Sequence, residues 1–389
     1  MDGKRLKFVD GLRGVAAVLV MLYHQVGRTS AGALTHRGYL GVAIFFVLSG
    51  FVITGAVGAR HINAGFLRRF ALRRMIRLDI PYWLNIALAL AMIALAARMG
   101  VPEQSIQLAQ VVAHLVYLQD ILGYEEISRV YWTLCLEVQF YLALILLLWC
   151  AQLLRIRWQH FMLVFLALLG LSVLANMSWI PAPTGLMFPY WWAFALGAVC
   201  YWTLTKRVSA RYLAAAALLV ALTAPGRHGD WRLTACVTTS LLFLAWRWNA
   251  MERWLADRVS QFLGRISYSL YLCHPLIGWS AQSLALRYVD QWSALGIGIS
   301  MSLVSAWLAY HFIERPSITL SHRVKLETTY TGARGRAESA GMGIAGDGAP
   351  PARRTVFSVL QSSIRQFVHE FVPALGRRSR MDAARKARN

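Results

Sequence analysis

Apolar residues along this chain gather into runs of about fifteen to twenty, and the polar residues collect between them. A bilayer core of about 30 Å needs about twenty helical residues to cross it. About ten runs approach or reach that length: 8–26, 39–58, 80–98, 132–151, 160–178, 187–204, 210–224, 231–247, 266–286 and 293–313. The pattern predicts an all-α fold, a polytopic membrane helical bundle of about ten transmembrane helices. The run at 210–224 is the shortest and has the least defined ends. Residues 105–122 carry Gln107, Gln110, His114 and Gln119 within an apolar stretch, which reads as a re-entrant or surface helix instead of a span.

The first run is the one that breaks its own pattern. Phe8 to Val26 contains Arg13 and His24, which have ten residues between them. At about 100° and 1.5 Å per residue they differ by about 20° around a helix and about 16 Å along it. They share one stripe at two depths, and Asp10 sits near it. Ionisable groups inside a span usually line a functional passage. A snorkelling Arg at one edge and an interfacial His at the other is the competing reading.

Beyond Pro316 the pattern ends. We divide the chain into a transmembrane domain, 1–316, and a basic cytoplasmic tail, 317–389. Residues 328–352, rich in Gly, Ala, Ser and Pro, are expected to be disordered. Residues 353–376 regain apolar positions at three and four, which fits a helix lying on an anionic leaflet or docked on the protein's own inner loops. No internal repeat supports an inverted-repeat transporter.

Composition agrees with the membrane reading, with 57% hydrophobic and 15% charged residues. The formal charge of +22 raises the question of nucleic acid. The basic residues lie between apolar runs and in the tail, with no soluble basic domain to hold a duplex, so no nucleic-acid partner is expected. They fit membrane lipid or a phosphate-bearing substrate. Arg60, Arg68, Arg69, Arg73, Arg74 and Arg77 follow the second run, whereas Glu103, Asp120, Glu125 and Glu126 follow the third. The positive-inside rule then places the loop after the second run in the cytoplasm and both termini with it, in a cell inner (plasma) membrane. Five cysteines lie in or beside apolar runs with no CxxC spacing and read as packing residues. Lys4, Arg5 and Lys7 resemble the start of a signal peptide, but Arg13 interrupts the apolar stretch and no clean cleavage site follows.

The candidate chemistry sits in four places. Arg69, Arg73 and Arg77 recur at four on a helical face with Arg74 beside them, a set that repels itself without an anion such as a donor phosphate or a headgroup. Thr133, Glu137 and Tyr141 form a second stripe, in which a buried carboxylate calls for a partner. Ser267, Tyr271 and His274 form a third, with Pro275 able to loosen the backbone. Glu314 and Arg315 end the last run, where a helix-end ion pair is the plainer reading. Ser49 lacks the G-x-S-x-G context of a serine nucleophile. No metal-ligand spacing is present, so no metal is expected. Trp179, Trp191 and Trp192 read as interfacial belt residues, with sugar stacking as the alternative.

Taken together, DGLRG (10–14), the Arg13/His24 spacing, FFVLSGF (45–51), Arg74 and Arg77 ahead of Pro81-Tyr82-Trp83, WTLCLEVQFYL (132–142), ISYSLYLCHPL (266–276) and FIERP (312–316) resemble the acyltransferase-3 family. The resemblance implies transfer of an acyl group, usually acetyl, from cytoplasmic acyl-CoA to a hydroxyl of a carbohydrate or glycolipid acceptor. It implies no permanently bound cofactor, with acyl-CoA as donor substrate. Carried over by motif, His24 and Arg13 are the essential pair, as base or acyl carrier and as donor-binding or charge-stabilising group. Glu137 joins them as a polar site residue, and Arg73, Arg74 and Arg77 belong to the donor side. Asp10, Tyr141, Tyr271, His274 and Glu314 are expected near substrate. Many relatives carry a second Glu where Val138 stands here. Some also carry an outer hydrolase-like domain, for which the tail is too short and too basic. A transporter or flippase for an anionic or carbohydrate substrate is the alternative, since a polar stripe through a bundle serves it equally well.

Overall fold

The computed structural model describes residues 6–27, 29–58, 60–98, 105–226 and 228–326. The expected tail disorder and tail helix lie outside the described residues. Within them every regular element is helical. In chain order these are α1 (Lys7–Val26), α2 (Gly32–Thr35), α3 (Gly41–Val57), α4 (Ala64–Arg98), α5 (Leu108–Leu115), α6 (Tyr131–Leu153) and α7 (Trp158–Asn176). They continue as α8 (Trp191–Leu204), α9 (Ala210–Leu222), α10 (Gly229–Arg247), α11 (Arg258–Cys273), α12 (Trp279–Ala285), α13 (Gln291–Ala309) and α14 (Arg315–His322). A bilayer hydrates no backbone, so helices that satisfy their own N–H and C=O groups are what such apolar runs must form.

Five stretches among the described residues are long and apolar enough to cross a membrane: Gly32–Val57, Ala64–Arg98, Tyr131–Leu153, Trp158–Asn176 and Gln291–His322. The other expected spans are helical but shorter or more polar. The chain runs back and forth between two ends. At the basic end the start of α1 meets the turn before α11, with the Phe8 N–H donating to Met251 O at 2.9 Å, and the Ile62 N–H donates to Gln152 Oε1 at 2.9 Å. At the other end the last turn of α1 packs against the junction of α11 and α12.

The centre of the bundle is α8, whose residues from Trp191 to Cys200 are all buried. Its backbone touches that of α3 because both sides of the contact are glycine. A Cβ on Gly50 would strike Phe194 O, and one on Gly197 would strike Val47 O. Such close small-residue approach is how membrane helices gain packing energy without a hydrophobic driving force. α1 and α11 meet in the same way, Gly14 against the backbone at Leu263 and Gly264, and Gly264 against Asp10 O.

Four expectations change. The Arg-rich segment is no loop: α4 runs unbroken through it, 35 residues including the buried Pro81. At 1.5 Å per residue it is about 52 Å long, well beyond a 30 Å core. The last helix does not end at Glu314. A π-helical stretch, Tyr310–Glu314, leads into α14 through Pro316, the wider turn making room for a ring that lacks an N–H. Residues 105–122 shorten to the eight-residue α5, with a loop tied down by the buried His114. Its Nδ1 donates to Gln110 O at 2.8 Å, and its Nε2 accepts the Ile127 N–H at 3.1 Å. Trp191 and Trp192 are not belt residues; both are buried, because the stretch that carries them is the core of the bundle, and only Trp179 is exposed.

Candidate active site

The α1–α11 crossing sets up the first cluster. The two helices run parallel, so the end of one lies beside the end of the other and His24 meets His274, with Nδ1 of His24 2.9 Å from Nε2 of His274. The other nitrogen of His274, Nδ1, lies 3.0 Å from Leu270 O. A carbonyl oxygen only accepts, so His274 Nδ1 carries the proton and its Nε2 is a lone pair. His24 Nδ1 must then donate to that lone pair. In the neutral ring, Nε2 of His24 then carries the lone pair, its orientation fixed from behind.

The π-helical segment His274–Gly278 lets this happen. It follows α11 at Pro275 and brings Gly278 against α13, where a Cβ would strike Ser302 Oγ and crowd Gln25 Nε2. Gln25 is fully buried beside His24 and donates from Nε2 to Ser302 Oγ at 2.5 Å and to Gly298 O at 3.3 Å. Gln282 Nε2 donates back to Gln25 O at 3.1 Å. The Trp279 ring lies 6.4 Å from that of His24 and nearly parallel to it, and Arg129 stacks on Trp279 at 4.9 Å.

The second cluster lies deeper, in a cleft enclosing about 80 Å3 and lined by Arg13, Arg74, Arg77, Ser49, Thr133, Glu137, Tyr141, Ser267, Tyr268 and Tyr271, with apolar residues between them. Glu137 Oε1 accepts from Ser49 Oγ at 2.7 Å and also from the Tyr141 hydroxyl. Arg74 stands over the rings of Tyr141, at 5.2 Å, and Phe70, at 5.6 Å. Glu314 is buried just behind, accepting from Ser269 Oγ at 2.6 Å within electrostatic reach of Arg13 and Arg77. Three guanidinium groups thus face two carboxylates, and the surplus is positive. Tyr271 joins the clusters: its ring lies 6.0 Å from that of His274, and its hydroxyl shares a 2.8 Å hydrogen bond with Thr133 Oγ1 in the cleft.

Of the expected residues, Arg13, Arg74, Arg77, Glu137, Tyr141 and Tyr271 come together in the cleft, and His24 and His274 form the pair beside it. Glu314 backs the arginines. Two stand apart. Arg73 points away from the cleft, and its guanidinium bonds His322 Nδ1 at 2.8 Å; it lies about 100° around α4 from Arg74, so a helix that turns Arg74 inward turns Arg73 off. Asp10 is not among the lining residues, and its carbonyl packs against Gly264 at the helix crossing. Sequence reading missed Gln25, Gln282, Arg129, Ser49 as a partner of Glu137, and Ser269 as a partner of Glu314. Gln25 was the legible one, a polar residue directly after His24 within the first apolar run.

A helical membrane bundle holding a hydrogen-bonded histidine pair beside a cationic cleft has the parts of an integral-membrane group-transfer enzyme. Residues 6–311 match the acyltransferase-3 family, described as an acyltransferase domain, and the chain belongs to it. It is therefore an acyltransferase and a membrane protein. Among curated relatives, "Putative membrane-bound transacylase BcsY" of Komagataeibacter xylinus is 28% identical over 360 residues, covering 85% of this chain and 87% of the relative. "Putative O-acetyltransferase SACOL0978" of Staphylococcus aureus (strain COL) is 27% identical over 157 residues, 36% of this chain and 24% of the relative. "Protein 2 in picA locus" of Rhizobium radiobacter is 35% identical over 100 residues, 25% of this chain and 51% of the relative. No solved structure matches the chain at a significant level.

Proposed function

We propose that this acyltransferase moves an acyl group, acetyl by expectation, from cytoplasmic acyl-CoA to a hydroxyl of a carbohydrate or glycolipid acceptor. In this reading it sits in the inner membrane with both termini in the cytoplasm, and the histidine pair faces the outer side. The observation that carries it is the relay from Leu270 O through His274 to His24, which leaves His24 Nε2 as a free base. An acceptor hydroxyl is a weak nucleophile at neutral pH. His24 Nε2 takes its proton as the oxygen attacks the thioester carbonyl; the carbon–sulfur bond breaks, the thiolate of CoA leaves, and the imidazolium returns the proton to it.

The arginine cleft has a separate part. Arg13, Arg74 and Arg77 supply positive charge in a low-dielectric setting, suited to the negative charge that develops on the thioester oxygen or to an anionic portion of the donor. The cleft now has space for a few waters, so an acyl-pantetheine arm enters only as side chains such as Tyr271 and Leu134 move. Membership of an acyltransferase family leaves the transporter or flippase reading without a supporting observation. The test is transfer of label from radiolabelled acetyl-CoA into surface or exported glycans by membranes carrying the wild type or His24→Ala. Label placed only by the wild type is the expected result. Equal label from both removes His24 from the chemistry.

A further inference from the structure

A second and larger cavity, about 430 Å3, opens at the basic end of the bundle among the ends of α3 and α6 and the start of α7. Three of its lining residues are cationic, Arg60, Arg155 and Arg207, and none is acidic. The site is built, not a loose spray of side chains. Gln152 fastens the floor, accepting the Ile62 N–H at 2.9 Å and donating to Arg60 O at 3.2 Å. Arg60 itself is held by a 2.8 Å bond from Nη1 to Ala56 O, and Arg207 stacks on Trp158 at 5.6 Å. Two held arginines and the exposed Arg155, beside an aromatic face and with no carboxylate lining the cavity, have the chemistry of a phosphate site.

The cavity also lies on a line with the arginine cleft. On α3, Ser49 and Ile53 line the cleft and Val57 lines the cavity, each four residues from the last. On α6, Glu137 and Tyr141 line the cleft and Leu148 and Gln152 the cavity, again on one helical stripe. The nearest lining residues are separated by about 6 Å of rise on α3 and about 10 Å on α6. One seam between two helices therefore runs from a phosphate-suited mouth to a cationic interior.

We propose that the Arg60–Arg155–Arg207 cavity binds the phosphates of the acyl donor, the nucleotide end of CoA, while its arm follows the α3–α6 seam to the arginine cleft. This rests on acyl-CoA being the donor. A phospholipid headgroup offers the same phosphate chemistry at the same depth, so the test separates the two sources.

The full-length protein in phosphatidylcholine nanodiscs is titrated with CoA and with 3′,5′-ADP, as wild type and as the double variant Arg155→Gln/Arg207→Gln. The expected result is an affinity loss of about ten- to a hundredfold for both probes, the scale of lost charge-assisted hydrogen bonds. Arg207→Lys, which keeps the charge and loses the planar fork, is expected to fall between. A melting temperature within about 2 °C of wild type shows that the double variant is folded, since these are surface substitutions. Unchanged affinity for both probes overturns the proposal. If, with affinity unchanged, anionic phospholipid co-purifies with the wild type and not with the double variant, the cavity is a headgroup site and its assignment to the donor falls. A wild type that binds neither probe removes the donor assignment together with the acyl-CoA reading. A wild type that transfers label from acetyl-CoA, beside variants that bind CoA equally well, removes the donor assignment alone.

Discussion

The two polar clusters share α1 and α11, yet they are built on opposite terms. The histidine pair is a closed hydrogen-bond chain: a backbone carbonyl fixes His274, His274 fixes His24, and the buried Gln25, Gln282 and Ser302 hold the helices beneath them. It has directionality, running from His24 through His274 to the Leu270 carbonyl. The arginine cleft carries surplus positive charge around an open space, with Glu137 held by Ser49 and Tyr141 as a fixed negative point. A base must be oriented to within a fraction of an ångström, whereas a cationic cradle needs charge and room. One helix serves both needs because Arg13 and His24 are one stripe at two depths.

Substitution at the two ends should part the kinetics. His24→Ala is expected to lower the rate of acyl transfer about 10²- to 10⁴-fold with little change in CoA affinity, the span typical of a lost general base. Arg74→Ala is expected to weaken the donor's KM about tenfold while kcat falls less; if its kcat falls as far as that of His24→Ala, the division between the ends is wrong.

His274→Ala tests whether His274 positions its neighbour. We expect a loss of about ten- to a hundredfold in kcat together with a changed pH–rate profile, because His24 is then free to adopt either tautomer. A merely structural His274 would lower stability and leave the profile in place. Gly278→Ala sharpens the same contrast from the backbone. The new methyl meets Ser302 and Gln25, so transfer should fall several-fold while CoA titration stays near wild type.

The smallest effect belongs to Asp120, in the loop between α5 and α6. Partial burial, with Glu126 as a hydrogen-bonding and like-charged neighbour, pushes the Asp120 carboxyl up to about 7. The folded state then binds this proton more tightly than the unfolded chain. The contribution to stability is full below the ordinary carboxylate range and is lost as pH rises toward 7. Asp120→Asn should flatten that fall, a change of about 1–2 °C in melting temperature between pH 4 and pH 7, because the group is partly solvated.

The membrane class and the all-helical fold were legible in the sequence because the bilayer leaves long apolar runs no other backbone solution. Stripes within one helix were legible for a similar reason. Rotation of about 100° per residue places Thr133, Glu137 and Tyr141 together whatever surrounds them, and the cleft contains all three. Which stripe faces inward was not legible. Arg73 and Arg74 are neighbours with identical side chains, and only Tyr141 and Phe70, arriving from elsewhere in the fold and from the preceding turn, turn one inward and leave the other to His322.

Sequence by itself determined what each helix can present: a histidine and an arginine on the first, a carboxylate between hydroxyls on the sixth, a histidine at a weakened turn after the eleventh. The tertiary structure alone decided that His24 and His274, 250 positions apart, share a proton-bearing contact. Periodicity is a property of one backbone and travels with the chain. Pairing depends on where two helices cross, and here that crossing is set by Gly14 against Gly264, at which no side chain keeps the backbones apart.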